Sequence, residues 1–141
     1  MPTRKASAVW EGGLQGGNGS FSGESGGIGG VYTAGSRFRE EKGSNPEELL
    51  AAAHAACFSM AFSAELEKAG FPPTRIQTDA QCTVEKVGDG FTITTMKLIT
   101  RATVPGIAND QFQQLGNAAK QGCPVSRALT GVNVELDATL E

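Results

Sequence analysis

The apolar residues of this chain alternate, then cluster, then alternate again, and these changes of period mark its elements. Ala6, Ala8 and Trp10 fall on alternate positions until Gly12-Gly13 breaks the run. Ser20-Phe21-Ser22 and Val31-Tyr32-Thr33 are further short strand candidates between glycine turns. Over residues 46–69 the pattern becomes helical. Asn45 can cap, Pro46 suits the first helical position, Glu48 stands three after the cap, and Gly70 and Pro72 stop the helix. A segment of about 24 residues at ~1.5 Å each is a rod of roughly 36 Å. Its middle is apolar nearly all round, which predicts a core helix.

Alternation returns over residues 74–87, where Ile76, Thr78, Ala80, Cys82 and Val84 share one face. Gly88-Asp89-Gly90 makes a turn into a second strand over 91–104. The apolar phase of that strand switches between Ile93 and Met96, which predicts a bulge or a change of covered face. Residues 109–121 form an amphipathic helix through Phe112, Leu115 and Ala119. Gly122-Cys123-Pro124 interrupts it before a short helical segment from Val125 to Leu129. Val132, Val134, Leu136, Ala138 and Leu140 then alternate strictly with polar residues, the pattern of a half-buried strand.

Grouped strands followed by helix, strands, helix and strand argue for the α+β class. The 141 residues suit a single domain over 1–141 with one modest core. A monomer of that size struggles to surround so long a rod, whereas a sheet from each of two subunits manages it, so a homodimer is expected. Most of the nineteen glycines lie between Gly12 and Gly43, which makes the first third turn-rich rather than helical. Gly26-Gly27-Ile28-Gly29-Gly30 is no phosphate loop, since no Lys-Ser/Thr follows it. A net charge of −3 gives no electrostatic excess for nucleic acid or an anionic membrane. The longest apolar stretch, Leu49 to Ala64, includes His54, Ser59 and Ser63 and is short for a bilayer. The N-terminal MPTRKASAVW has basic residues without a following apolar run, so no secretory leader is expected and the reading is a soluble, cytoplasmic protein.

In a reducing compartment three cysteines make no disulfide framework, and a bond that forms there is usually transient and catalytic. Cys82 shares the apolar phase of its strand and reads as a small buried hydrophobe. Cys57 sits mid-helix in Ala55-Ala56-Cys57-Phe58. It is either core packing or a sulfur with space beside it, and Arg37 and Glu47 upstream form a charged pair that could be brought to the helix. Cys123 is either a turn residue without a role or the cap of a helix beginning at Pro124, in which case its sulfur faces free N–H groups and its pKa falls. His54, the only histidine, lies three residues before Cys57 and reads as a satisfied core or interface residue. A zinc site from His54, Cys57, Cys82 and Cys123 lacks any Cys-x-x-Cys or His-x-x-x-His spacing.

Several segments together are similar to a known family. They are Gly35-Ser36-Arg37-Phe38, Lys42-Gly43-Ser44-Asn45-Pro46-Glu47-Glu48-Leu49, Ala52-Ala53-His54-Ala55-Ala56-Cys57-Phe58-Ser59-Met60, Val104-Pro105-Gly106-Ile107 and Gly122-Cys123-Pro124-Val125-Ser126. Along essentially its whole length the chain resembles the osmotically inducible protein C and organic hydroperoxide resistance family, and its wording around Cys57 resembles the osmotically inducible branch. The resemblance implies an intertwined homodimer in which antiparallel sheets wrap long central helices. It implies a thiol peroxidase that reduces hydroperoxides without metal, haem or flavin, and the apolar Leu49, Phe58, Met60 and Phe62 lead to the expectation that organic hydroperoxides are preferred and hydrogen peroxide is reduced more weakly. An external dithiol, such as a lipoylated protein, would be the reductant. It also implies that Cys57 is the peroxidatic cysteine, Cys123 the resolving cysteine that closes a Cys57–Cys123 disulfide, Arg37 the site arginine and Glu47 its acidic partner. Glu47 stands ten residues before Cys57, ~15 Å along a helix axis, so the expected site lies at the dimer interface. The competing readings are a redox-sensing or small apolar ligand-binding dimer without turnover, and a purely structural dimer.

Overall fold

Glycine turns fold the first third of the chain back on itself twice in the computed structural model, which describes residues Met1–Glu141. The chain divides into two compact units, Met1–Leu49 and Leu50–Glu141. In the first, β1 (Ala6–Glu11), β2 (Asn18–Gly23) and β3 (Gly29–Tyr32) make an antiparallel meander in the order β1-β2-β3. The Tyr32 ring lies 5.4 Å from that of Trp10 and 6.0 Å from that of Phe21, joining the three strands through aromatic contacts.

A short helix α1 (Ala34–Phe38) follows, which the sequence pattern missed because five residues carry no readable helical period. What makes it is a capping box. Ser36 N donates to Thr33 Oγ1 at 3.1 Å, and Thr33 N donates to Ser36 Oγ at 2.9 Å. Ser36 Oγ donates onward to the Ser44 carbonyl at 2.8 Å. The intervening loop turns at Gly43, whose φ of 126° suits glycine alone and whose added Cβ would stand 3.1 Å from the Val31 carbonyl oxygen.

Helix α2 (Pro46–Lys68) begins at the end of the first unit and continues into the second. Asn45 caps it as expected, accepting from Glu48 N at 2.8 Å. Gly70, at φ 91°, ends it, and Phe71 N reaches back to Leu66 O at 2.8 Å. His54, Phe58, Phe62 and Leu66, spaced by four, are buried, while Ala52, Ala53, Ala56, Met60 and Ala64 face outward. The expected all-round burial is therefore not achieved within one chain, because the second unit supplies a sheet and helices for one face only. By length and composition alone the 23-residue helix is also enough to cross a membrane, so the shortness argued from Leu49–Ala64 does not hold.

The rest of the second unit is β4 (Arg75–Val87), β5 (Gly90–Thr103), α3 (Asn109–Gly122), α4 (Pro124–Ala128) and β6 (Asn133–Leu140). β4 and β5 form an antiparallel hairpin. Thr83 pairs with Thr95 and Val84 with Ile93, so Thr94 is the extra residue of a bulge at the predicted change of phase. Beyond it Met96, Leu98, Thr100 and Ala102 turn inward. β6 pairs parallel to β5, Met96 opposite Val134, because α3 and α4 carry the chain back before it enters the sheet. This is a departure from the expected all-antiparallel pairing inside an α+β fold.

Phe58, Phe62, Leu66, Met96, Leu98 and Phe112 form the fully buried core, with the Phe62 ring 5.5 Å from Phe58 and 5.1 Å from Phe112. A polar chain crosses it. Ser59 Oγ donates to Thr78 Oγ1 at 2.8 Å, Thr78 meets Thr100 at 3.0 Å, and Thr100 donates to the Gln77 carbonyl at 3.1 Å. This satisfied network fixes the rotation of α2 against the sheet, and with it the direction in which Cys57 points.

Candidate active site

Cys123 stands where α3 ends and α4 begins. Its N–H donates to Ala119 O at 2.9 Å, and its carbonyl accepts from Arg127 N at 3.0 Å. Pro124 occupies the first position of α4, so the chain turns sharply and the Cys123 side chain goes inward, where it is fully buried. There it meets the half-buried Cys57 of α2. The two thiols hydrogen-bond to each other and are not joined in a disulfide.

Their surroundings differ. Burial, the hydrogen bond shared with Cys123 and the proximity of its charge push the Cys57 thiol up, and the Val125 N–H pulls only partly the other way. Burial also pushes Cys123 up, but hydrogen bonds from Cys57, from the N–H and hydroxyl of Ser126 and from the Val125 N–H outweigh it and leave this thiol below its ordinary value. The lowering at Cys123 is the direction expected of a thiol that caps the helix beginning at Pro124. Wherever one of the two thiols is ionised, these surroundings favour the anion on Cys123 and the proton on Cys57.

His54, one turn before Cys57, is fully buried, and its Nε2 lies 2.6 Å from Ser126 Oγ. Burial holds the ring below the usual imidazole pKa, so it is neutral at pH 7. Its Nδ1 has no partner. The expected satisfied core histidine is thus satisfied on one side only. Ser126, three residues beyond Cys123, is the residue the sequence reading passed over. The available signal was its place in the first turn of a helix whose cap is a cysteine, where a hydroxyl can reach back to the sulfur.

Arg37 and Glu47 meet within the first unit. Arg37 Nε lies 3.1 and 3.3 Å from the two carboxylate oxygens, and Nη2 lies 2.8 Å from Oε1. The carboxylate is nearly buried at 7% exposure and the guanidinium is 36% exposed. Glu47 takes up Nε and one terminal nitrogen, which leaves the other Arg37 terminal nitrogen for a ligand. Arg37 lines a cavity of about 250 Å³ with Trp10, Leu14, Tyr32 and Phe38, and its guanidinium carbon lies 5.1 Å from the Phe38 ring centre. Of the four site residues singled out in the sequence, the structure pairs Cys57 with Cys123 and Arg37 with Glu47, each pair within one unit. Cys82 lies on β4 opposite Met96, packed against the core. No group of three or more His, Cys, Asp or Glu side chains is placed to hold a metal ion, so the zinc set written from the sequence is not assembled.

These features define a small α+β protein with a half-buried dithiol and a fixed arginine–carboxylate pair. The family model described as OsmC-like protein matches residues 39–137, which take in Glu47, Cys57 and Cys123 and begin just after Arg37. The chain is 49% identical to Peroxiredoxin OsmC of Escherichia coli (strain K12) over 127 residues, 89% of each protein. It is 34% identical to the organic hydroperoxide resistance protein of Xanthomonas axonopodis pv. citri (strain 306) over 99 residues, 70% of this chain and 67% of that one. Among solved structures, an organic hydroperoxide resistance protein from Elizabethkingia anophelis shares the fold with a TM-score of 0.78 at 24% identity, over 100% of this chain and 98% of that one. The chain belongs to the OsmC-like protein family. The names of its relatives support a peroxidase-type redox role.

Proposed function

We propose that this protein is a cysteine-based peroxidase that reduces organic hydroperoxides, and hydrogen peroxide more weakly, through Cys57 and Cys123. The observation that carries the reading is the direct hydrogen bond between these two thiols in unequal surroundings. In the first step the Cys57 thiolate attacks one oxygen of the O–O bond. That bond breaks, the other oxygen leaves as alkoxide and takes up a proton, and Cys57 becomes a sulfenic acid. Cys123 then displaces hydroxide to close the disulfide, and an external dithiol, a lipoylated protein being one candidate, returns both thiols. No metal or organic cofactor takes part.

Arg37, held by Glu47, is assigned the role of orienting the peroxide and stabilising charge on the departing oxygen. The cavity it lines has aromatic and aliphatic walls around one cationic end, which suits a molecule with an apolar body and a peroxide head. The uncovered face of α2, with Met60 at 76% exposure, is assigned to a second copy of the chain, so that the protein acts as a homodimer with its sites at the interface.

A peroxidase assay coupled to a dithiol tests the proposal with wild type, Cys57→Ser, Cys123→Ser and Arg37→Ala. Cys57→Ser should be inert, Cys123→Ser should consume one equivalent and stop, and Arg37→Ala should lose roughly 10²-fold or more in kcat/KM. Cumene hydroperoxide should be turned over better than hydrogen peroxide. Multiple turnover in Cys123→Ser, or equal kcat/KM for the two peroxides, would count against the mechanism and the pocket respectively.

A further inference from the structure

The mechanism above leaves unused the one buried imidazole and the hydroxyl beside it. The geometry points to a relay in which His54 holds Ser126 and Ser126 holds the Cys123 sulfur as thiolate, making Ser126 a further catalytic residue of disulfide closure and His54 its positioning residue. The inference rests on the peroxidase reading for its place in the cycle but not for its geometry.

The relay sets one direction for each hydrogen bond. The Ser126 hydroxyl has one hydrogen, and the relay assigns it to the Cys123 sulfur, which also accepts from the Ser126 N–H. The same oxygen lies 2.6 Å from His54 Nε2, so in the relay it accepts at that contact and Nε2 carries the hydrogen. A neutral ring then has a bare Nδ1. That accounts for the atom without a partner, because the other tautomer would bury an N–H with no acceptor. Burial, which keeps the ring neutral, favours the same arrangement.

The ionisable group beside Cys123 is Cys57, and His54 of the same helix α2 touches Ser126. The nearest cations along the chain, Lys120 of α3 and Arg127 of α4, line an open groove with Ser126. Both are retained in every variant below. In the step itself the Cys123 thiolate attacks the sulfur of Cys57–SOH, the S–S bond forms, the S–O bond breaks, and the leaving hydroxide takes up a proton from solvent as water. No outside oxidant is needed.

The test separates the two half-steps. Wild type, Ser126→Ala, Ser126→Thr, His54→Phe and His54→Gln are mixed with one equivalent of cumene hydroperoxide and a dimedone trap, and mass spectrometry counts trapped sulfenic acid against disulfide. The ratio of closure to trapping should fall about tenfold in Ser126→Ala, as expected for one lost hydrogen bond to an anion. It should also fall in His54→Phe and recover in Ser126→Thr and in His54→Gln, whose amide N–H can replace Nε2–H. In a Cys57→Ala background the pH midpoint for iodoacetamide alkylation of Cys123 should rise about one unit with Ser126→Ala. An unchanged midpoint in folded Ser126→Ala, or an equal midpoint for His54→Phe and His54→Gln, overturns the relay. If wild type forms no sulfenic acid the peroxidase reading fails, and the alkylation midpoints still decide the relay.

Discussion

Replacing Cys123 by alanine should make the other cysteine more acidic, although in the proposed mechanism it removes a thiol needed for turnover. Three influences raise the Cys57 thiol: burial, the hydrogen bond to Cys123 and the proximity of the Cys123 charge. Only the Val125 N–H opposes them. The substitution deletes the second and third, and the smaller side chain lets water nearer the sulfur, which weakens the first. An ordinary thiol with pKa ~8.5 is about 3% ionised at pH 7, so each unit of fall gives up to about tenfold more thiolate. A less basic thiolate is a weaker nucleophile, with β ~0.4–0.5, so the net gain in attack rate is about threefold per unit. Single-turnover oxidation by cumene hydroperoxide should therefore accelerate modestly while multiple turnover disappears. Iodoacetamide alkylation of Cys57, followed by mass spectrometry from pH 5.5 to 9.5, should show a lower midpoint in Cys123→Ala than in wild type. The reverse variant, Cys57→Ala, should raise the Cys123 midpoint, because it removes the strongest of the contacts that lower it. Loosening of the fold would move both midpoints the same way. A Cys57 midpoint that stays or rises in Cys123→Ala would refute the shared-proton account.

The Arg37–Glu47 pair should respond unequally to its two deletions. Arg37→Met strands a carboxylate only 7% exposed, whereas Glu47→Gln leaves a guanidinium that is 36% exposed and reachable by water. The first should cost about 2–3 kcal/mol and the second about 1 kcal/mol in denaturant unfolding at fixed protein concentration, and equal costs would contradict the burial argument. His54 should make stability fall with acid. Its folded pKa is lowered by burial, so between that value and the unfolded ~6.5 the unfolded chain binds more protons, and stability rises with pH across that window. His54→Gln should flatten the slope of unfolding free energy against pH just below ~6.5, and an unchanged slope would place the titration elsewhere.

The elements were legible wherever one periodicity lasted long enough to average out noise. The alternation from Ile76 to Val84, the switch of phase at Thr94 and the strict alternation from Val132 to Leu140 each correspond to a single physical fact, the side of the sheet that is covered. Helix α1 was invisible because its stability comes from the reciprocal Thr33–Ser36 bonds and not from an apolar face. The parallel pairing of β6 was invisible because alternation has no direction; only the path through α3 and α4 decides it. At the site, Pro124 announced the cap at Cys123 before any coordinates did. Ser126 did not stand out, because a serine in a first helical turn is commonplace and its meaning depends on an imidazole 72 positions away.

In the proposed cycle the unequal thiols resolve a conflict built into any site with two reacting sulfurs. The first must be ionised when the peroxide arrives and the second only afterwards, yet two adjacent anions repel. Once one of the two is ionised, a single proton shared along their hydrogen bond would satisfy both demands in turn. Moving it from Cys57 to Cys123 costs ~1.4 kcal/mol for each unit by which their surroundings differ, a step that thermal fluctuation supplies. Once Cys57 is oxidised it no longer competes for the proton, and the N–H groups and hydroxyl at the start of α4 favour the anion on the sulfur that must attack next. A depressed pKa at Cys57 would gain little for the first step, since a softer nucleophile offsets much of the larger thiolate fraction. Placing the favourable donors on Cys123 would speed the second step without that loss at Cys57, which accounts for a peroxidatic candidate on the middle of a long helix and its partner at the first residue before a short one.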